Sequence, residues 1–218
     1  MKRLATFGRT GPGLLVLALQ ALPLAAQSED RGTLLIRAGT REVGSESFRI
    51  VTDSAGVRVS ARAVYGTRGT RTATELTATL DRGHEGELAF QLDRRAGTQG
   101  VQVYAVQKRN RITVRRVERG AEQASELPGS PTIVLLADSV FSLFYQIVPL
   151  AADNRPVSVL FPQGTRRLAL TLERVASGGR TLIRFRGGLE GELELGNRGE
   201  VLRIQLPSLG LEAVRKRD

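Results

Sequence analysis

The chain of 218 residues is 41% hydrophobic and 5% aromatic and carries a formal charge of +10. It has no cysteine, which excludes disulfides, thiolate metal sites, cysteine nucleophiles and a lipid-modified N-terminal cysteine. A single histidine, His84, excludes a multi-histidine metal site and leaves any Ser/His chemistry resting on one residue.

Residues 1–26 read as a secretory signal peptide. Lys2, Arg3 and Arg9 give a positive start without an acidic residue, residues 13–24 are an apolar run, and Ala25 and Ala26 precede Gln27. A charged start, a short apolar centre and small residues at the cut are the features that signal cleavage needs. Pro12 and Pro23 bracket the run, which is shorter than the roughly 18–20 residues of a membrane anchor. The expectation is a β-rich domain over 27–218, in the periplasm or secreted. The 29 arginines against 3 lysines point to a G+C-rich bacterial genome.

Loss of Lys2, Arg3 and Arg9 lowers the formal charge from +10 to +7. The basic pairs, among them Arg94-Arg95, Arg115-Arg116 and Arg166-Arg167, are interspersed with acidic residues and fall near strand ends. No nucleic-acid recognition motif accompanies them, so no nucleic-acid partner is expected, and membrane contact is peripheral at most.

In chain order, the dominant pattern is alternation with period two, broken by glycine-rich turns every roughly 8–12 residues, the mark of an antiparallel meander. Strands are predicted over 33–41 and 45–52, with 42–44 between them and a turn at 53–56. Val57, Val59, Ala61, Ala63 and Tyr65 then share one face against Arg58, Ser60 and Arg62. The pattern continues through Leu76, Ala78 and Leu80, then Leu88, Phe90 and Leu92, then Val101, Val103 and Ala105, and then Ile112 and Val114.

The polar stretch 119–131, with two prolines, is predicted to be a loop. A strand follows over 132–137, and Asp138 has the place of an N-cap. Val140, Phe141, Phe144, Ile147 and Val148 then follow helical spacing, with Ser139, Ser142 and Gln146 as a polar stripe and Pro149 as the stop. A strand reading of 140–148 remains open. Further strands are predicted over 157–161, 167–175, 180–186, 190–195, 200–207 and 211–215.

The expected fold is mainly β: a large curved antiparallel sheet, a half-open barrel, packed on one central α-helix, because an apolar sheet face must be covered. An outer-membrane barrel is the competing architecture, but 5% aromatics cannot furnish its girdles.

Three segments carry a resemblance: RAGTREVGSESFRI at 37–50, LADSVFSLFYQIVPL at 136–150 and GEVLRIQLPSLGLEAV at 199–214. In element order the chain resembles bacterial envelope proteins whose half-open antiparallel barrel surrounds a helix, as in lipoprotein carriers of the LolA and LolB type. More closely it resembles a related family of exported proteins of unknown function. The resemblance implies the fold rather than an activity, and it transfers no site residue.

Catalytic signatures are absent: no nucleophile elbow, phosphate-binding loop, dinucleotide fingerprint or zinc-protease motif occurs. His84 falls in the turn 81–86. Glu190, Glu192 and Glu194 alternate on a strand beside Arg184 and Arg186, which reads as a solvent-facing charge ladder. Ser139 and Ser142 have no neighbouring base. A carboxylate hydrolase would rest on those glutamates and Asp138 alone. The chain is therefore expected not to be an enzyme and to need no cofactor or metal.

The leading functional expectation is a periplasmic binding or carrier module for an apolar or lipid-like ligand. Phe141, Phe144, Tyr145 and Phe161 are its lining candidates, with arginines at the rim for an anionic head group. The alternative is a structural or protein-interaction component of the envelope with a filled core, meeting its partner through sheet edges or the 119–131 segment.

Overall fold

The computed structural model describes residues 27–66, 73–152 and 156–217. The expected signal peptide lies outside them. The first meander runs β1 (Ser28–Ala38), β2 (Arg41–Asp53), β3 (Gly56–Tyr65), β4 (Thr74–Gly83), β5 (Leu88–Ala96), β6 (Gln99–Lys108), β7 (Arg111–Glu118) and β8 (Ala121–Pro128). After the two-residue β9 (Val134–Leu135) come β10 (Val157–Phe161), β11 (Arg166–Ser177), β12 (Arg180–Gly187), β13 (Gly191–Leu195), β14 (Val201–Leu206) and β15 (Leu211–Arg215). Strand β15 returns to pair with β1, so both meanders form one curved sheet of fifteen strands in the order β8 to β1, then β15 to β9. All pairings are antiparallel except β9 with β10, and β8 does not pair with β9, so the sheet is not closed.

Alternation settles which face is dry. On β3, Val57, Val59, Ala61 and Ala63 are buried while Arg58, Ser60 and Arg62 are exposed. The same phase holds for Leu76, Ala78 and Leu80 on β4 and for Leu88, Phe90 and Leu92 on β5. The expected turn at 53–56 is present: Asp53 Oδ1 accepts from the amides of Ala55 (2.8 Å) and Gly56 (3.2 Å), which holds the carboxyl below its ordinary pKa.

Several boundaries differ from expectation, and the strand expected over 132–137 is only the two residues of β9. The first hairpin turns at Gly39 and Thr40, and residues 42–44 belong to β2. Residues 121–128 are a strand rather than a loop, paired in register with β7 from Glu118↔Ala121 to Arg111↔Pro128. Because β8 is wet on both sides along most of its length, burial imposes no period on its sequence.

The predicted helix over 139–149 also needs correction. A 3-10 turn spans Ser142–Gln146, followed by one α-helical turn, α1 (Ile147–Leu150), which includes Pro149 instead of being stopped by it. Ser142 and Gln146, expected on a polar outer stripe, are fully buried. With only Tyr145 half-buried among residues 140–147, there is no continuous wet face to maintain helical periodicity, and the tight turn satisfies its backbone locally, with the Phe144 amide on the Phe141 carbonyl at 2.9 Å. The turn lies against β3, where Ala61 and Ala63 are small, and Phe144 stacks on Phe185 of β12 with centroids 5.3 Å apart.

Buried polar side chains on β2, β4 and β6 tie the connecting residues 129–147 to the sheet. Glu46 accepts from the amides of Phe141 (2.6 Å) and Ser142 (2.8 Å). Arg82 donates to the carbonyls of Pro131 (3.2 Å) and Ile133, and to Gln146 Oε1 (3.4 Å). Gln107 Nε2 donates to the carbonyls of Gly86 and Ser130, both at 2.9 Å. Gln146 acts as a strand substitute, accepting from the Leu135 amide (3.3 Å) and donating to the Leu135 carbonyl (2.6 Å). Left unpaired, the buried backbone groups among these, at Ile133, Leu135, Phe141 and Ser142, would each cost about 1–3 kcal/mol.

Candidate functional site

The end of the sheet where β1 turns into β2 and β14 into β15 is taken as the upper end. There the chain leaving β9 reverses in a tight turn, with Ala137 bridged to Val140. Asp138 and Ser139 occupy its exposed middle. Ser139 has φ 72°, the left-handed region, and its carbonyl accepts from Tyr65 Oη at 2.6 Å. Burial, and then the nearby Glu46 carboxylate, push the Tyr65 hydroxyl well above its ordinary pKa.

Beside this turn lies an apolar cleft of about 350 Å³. Phe141, Phe144 and Phe161 form its floor, and Leu189, Leu206, Leu209 and Leu211 supply its far wall. The three rings are almost wholly buried, so they border the cleft at the limit of the core. Arg166 stands at the rim, its guanidinium 4.2 Å from the centre of the Phe161 ring and 3.2 Å from Asp138 Oδ1. Asp138 therefore holds an arginine, and it makes no side-chain capping bond to the 3-10 turn. The two amides at that end belong instead to Glu46.

On the other side of the Asp138–Ser139 turn is a second depression of about 370 Å³, of mixed character, with Tyr65, Leu76, Arg94, Val101, Arg116 and Gln163 among its lining residues. The mouth is thus divided by one strained turn into an apolar half and a mixed half.

Three of the four sequence-predicted lining residues come together here. Tyr145 does not: it is half-buried at the opposite end, in a polar pocket of about 300 Å³ with Glu29, Asp30, Arg31 and Arg215. In that pocket Glu29 lies between Arg49 and Arg31, whose hydrogen bonds lower its carboxyl to a pKa of about 2.

The other candidates stay apart. His84 is an exposed turn residue with Nε2 3.2 Å from the Asp53 carbonyl oxygen. The glutamate ladder is present in part: Glu192 pairs with Arg184 at 3.1 Å and Glu194 with Arg180, while Arg186 and Glu190 take no part among the described residues. No group of three or more His, Asp or Glu side chains able to hold a metal occurs among the described residues.

Sequence reasoning missed Glu46, Arg82 and Gln107. The signal was present, because each continues the phase of an inward apolar row: Glu46 with Phe48 and Ile50, Arg82 with Ala78 and Leu80, Gln107 with Val103 and Ala105. A charged or amide side chain in that phase must find a partner inside.

Compared with known proteins, the chain matches no family model, no curated protein and no solved structure.

Proposed function

We propose that this chain is a non-catalytic binding module of the bacterial envelope that takes an apolar or lipid-like group in the upper cleft. The observation that carries the reading is the cleft itself. It is a concave apolar site of about 350 Å³, within the range that holds small ligands, with a charged group at its edge. The half-open barrel packed on a central rod belongs to the same proposal. The curved sheet would form the wall, residues 133–147 the rod, and the cleft the place where the rod leaves the wall uncovered. Export is supported by the sequence of residues 1–26. Among the described residues no helix is long and apolar enough to cross a membrane.

The test is titration with an environment-sensitive fluorescent fatty acid, together with native mass spectrometry of the protein as isolated. Leu189→Trp places a large ring at the cleft wall, and at least tenfold weaker dye binding is expected, about 1.4 kcal/mol. Absence of bound lipid together with absence of dye binding overturns the reading.

One observation favours a second reading, a structural or protein-interaction component. Residues 133–137, 140–144, 146 and 147 are all buried, which supports an interior filled by side chains. Under that reading the dye does not bind, and the free edge of β8 is the place where an envelope partner adds.

A further inference from the structure

We propose that the upper rim of the sheet is a docking face for the surface of an anionic bilayer. The inference stands apart from whether the cleft holds a ligand. Strand register brings one set of hairpin turns to this end: β1–β2, β5–β6, β7–β8, β12–β13 and β14–β15.

Six arginines lie in or beside those turns: Arg37, Arg41, Arg94, Arg95, Arg119 and Arg186. None has a carboxylate within 4.0 Å among the described residues, whereas twelve other arginines of the chain do. Arg31, Arg49, Arg58, Arg180, Arg203 and Arg215, for example, are all neutralised nearer the middle or the other end of the strands. Among the described residues the carboxylates at the rim without an arginine partner are Glu42, Asp93 and Glu190, so the balance of these unpaired groups is positive.

The same end carries Leu209, the most exposed large hydrophobic residue described, at 58%. It is held out by the short turn Pro207–Leu209, which closes through Gly210 at φ 62°. Gly39 donates to the Gly210 carbonyl at 3.1 Å, so this tip is fixed against the hairpin that bears Arg37 and Arg41. A single exposed leucine on a polar surface would need no explanation. An exposed leucine anchored inside a set of unneutralised arginines, beside half-buried Leu189 and Leu211, has both elements of interfacial binding: apolar insertion and attraction to acidic head groups.

The chain has no tryptophan, so Leu209→Trp gives a unique reporter at the tip. The form of the protein that cells accumulate, with its N-terminus read by mass spectrometry, is mixed with vesicles of phosphatidylcholine alone or of equal parts phosphatidylcholine and phosphatidylglycerol. The expected result is a blue shift of the tryptophan emission with the acidic vesicles only, reversed by high salt. Arg41→Ala combined with Arg95→Ala, both exposed, is expected to weaken co-sedimentation of the unmodified tip about thirty-fold. Equal binding to both vesicles, or co-sedimentation without a blue shift, overturns the proposal, because the contact then runs through another surface. A thermal melt unchanged by the arginine substitutions shows that the loss is not one of folding.

Discussion

The Glu46 carboxylate accepts a hydrogen bond from the backbone amide of Phe141, ninety-five positions later, at 2.6 Å. Its other oxygen takes the Ser142 amide. A short 3-10 turn has amides at its start with no partner of its own, and here the sheet supplies the acceptor from outside. Glu46→Ala leaves both amides buried and unpaired. The expected loss is about 2–5 kcal/mol of stability, read from the denaturant midpoint at constant m value.

The charge of Glu46 gives a pH signature. Burial raises its carboxyl above the ordinary range, against the lowering effect of the two amides. A raised carboxyl means that the folded state holds its proton at a pH where the unfolded chain has lost it. Its contribution is therefore fully present below the unfolded pKa of about 4.3 and declines as pH rises through the folded value. Stability measured upward from pH 4 should fall over that window, and Glu46→Gln should flatten the fall while lowering stability at every pH. A wild-type profile that rises across the window would contradict this.

Arg82 is a buried cation whose counterparts are carbonyls and an amide oxygen. Burial brings its pKa down to about 10, still far enough above neutrality for the guanidinium to remain charged. Arg82→Met matches its length and keeps the apolar stem, but strands the carbonyls of Pro131 and Ile133. A loss of about 3 kcal/mol is expected, with hydrogen exchange accelerating first at residues 132–135 rather than in β4.

Phe144 and Phe185 connect the connecting segment to the second meander. Either ring replaced by alanine should cost about 3–5 kcal/mol, as for large buried aromatics generally. Because their centroids are 5.3 Å apart, the double variant should lose less than the sum, with a coupling of about 1 kcal/mol. Additive losses would mean that the two rings are held independently.

How much of this the sequence displays depends on whether burial is one-sided. Val57, Val59, Ala61 and Ala63 alternate with polar residues because the strand has one dry face, and there the period-two reading succeeds. Strands 157–161 and 211–215 match expectation residue for residue. The reading fails where one-sidedness fails. Strand β8 is wet nearly throughout and looks like a loop, while residues 140–147 are buried except for half-buried Tyr145 and imitate a helix face. Phe141, Phe144 and Phe161 could be singled out as neighbours of a cleft because they are apolar, yet Tyr145 goes to the other end, since spacing alone does not say which way a 3-10 turn points each side chain. The phase of Glu46 with Phe48 and Ile50 says that it points inward, but not to what: its partner is a backbone amide ninety-five residues distant, and backbone groups leave no mark in a sequence.

The turn dividing the mouth offers the last prediction. Ser139 sits at φ 72°, where a side chain costs roughly 1 kcal/mol and glycine almost nothing. Glycine also gives the unfolded chain more freedom, which offsets part of that gain. Ser139→Gly should therefore raise stability slightly, by about 0.5 kcal/mol or a degree or two in Tm, while Ser139→Val should lower it. Tyr65→Phe removes the hydroxyl that holds the Ser139 carbonyl and should cost about 1 kcal/mol. If the turn carries real strain, the glycine variant will also recover part of what Tyr65→Phe loses, because a relaxed turn needs less holding. If instead the two effects add, the tyrosine is positioning nothing beyond its own hydroxyl, and the division of the mouth does not depend on it.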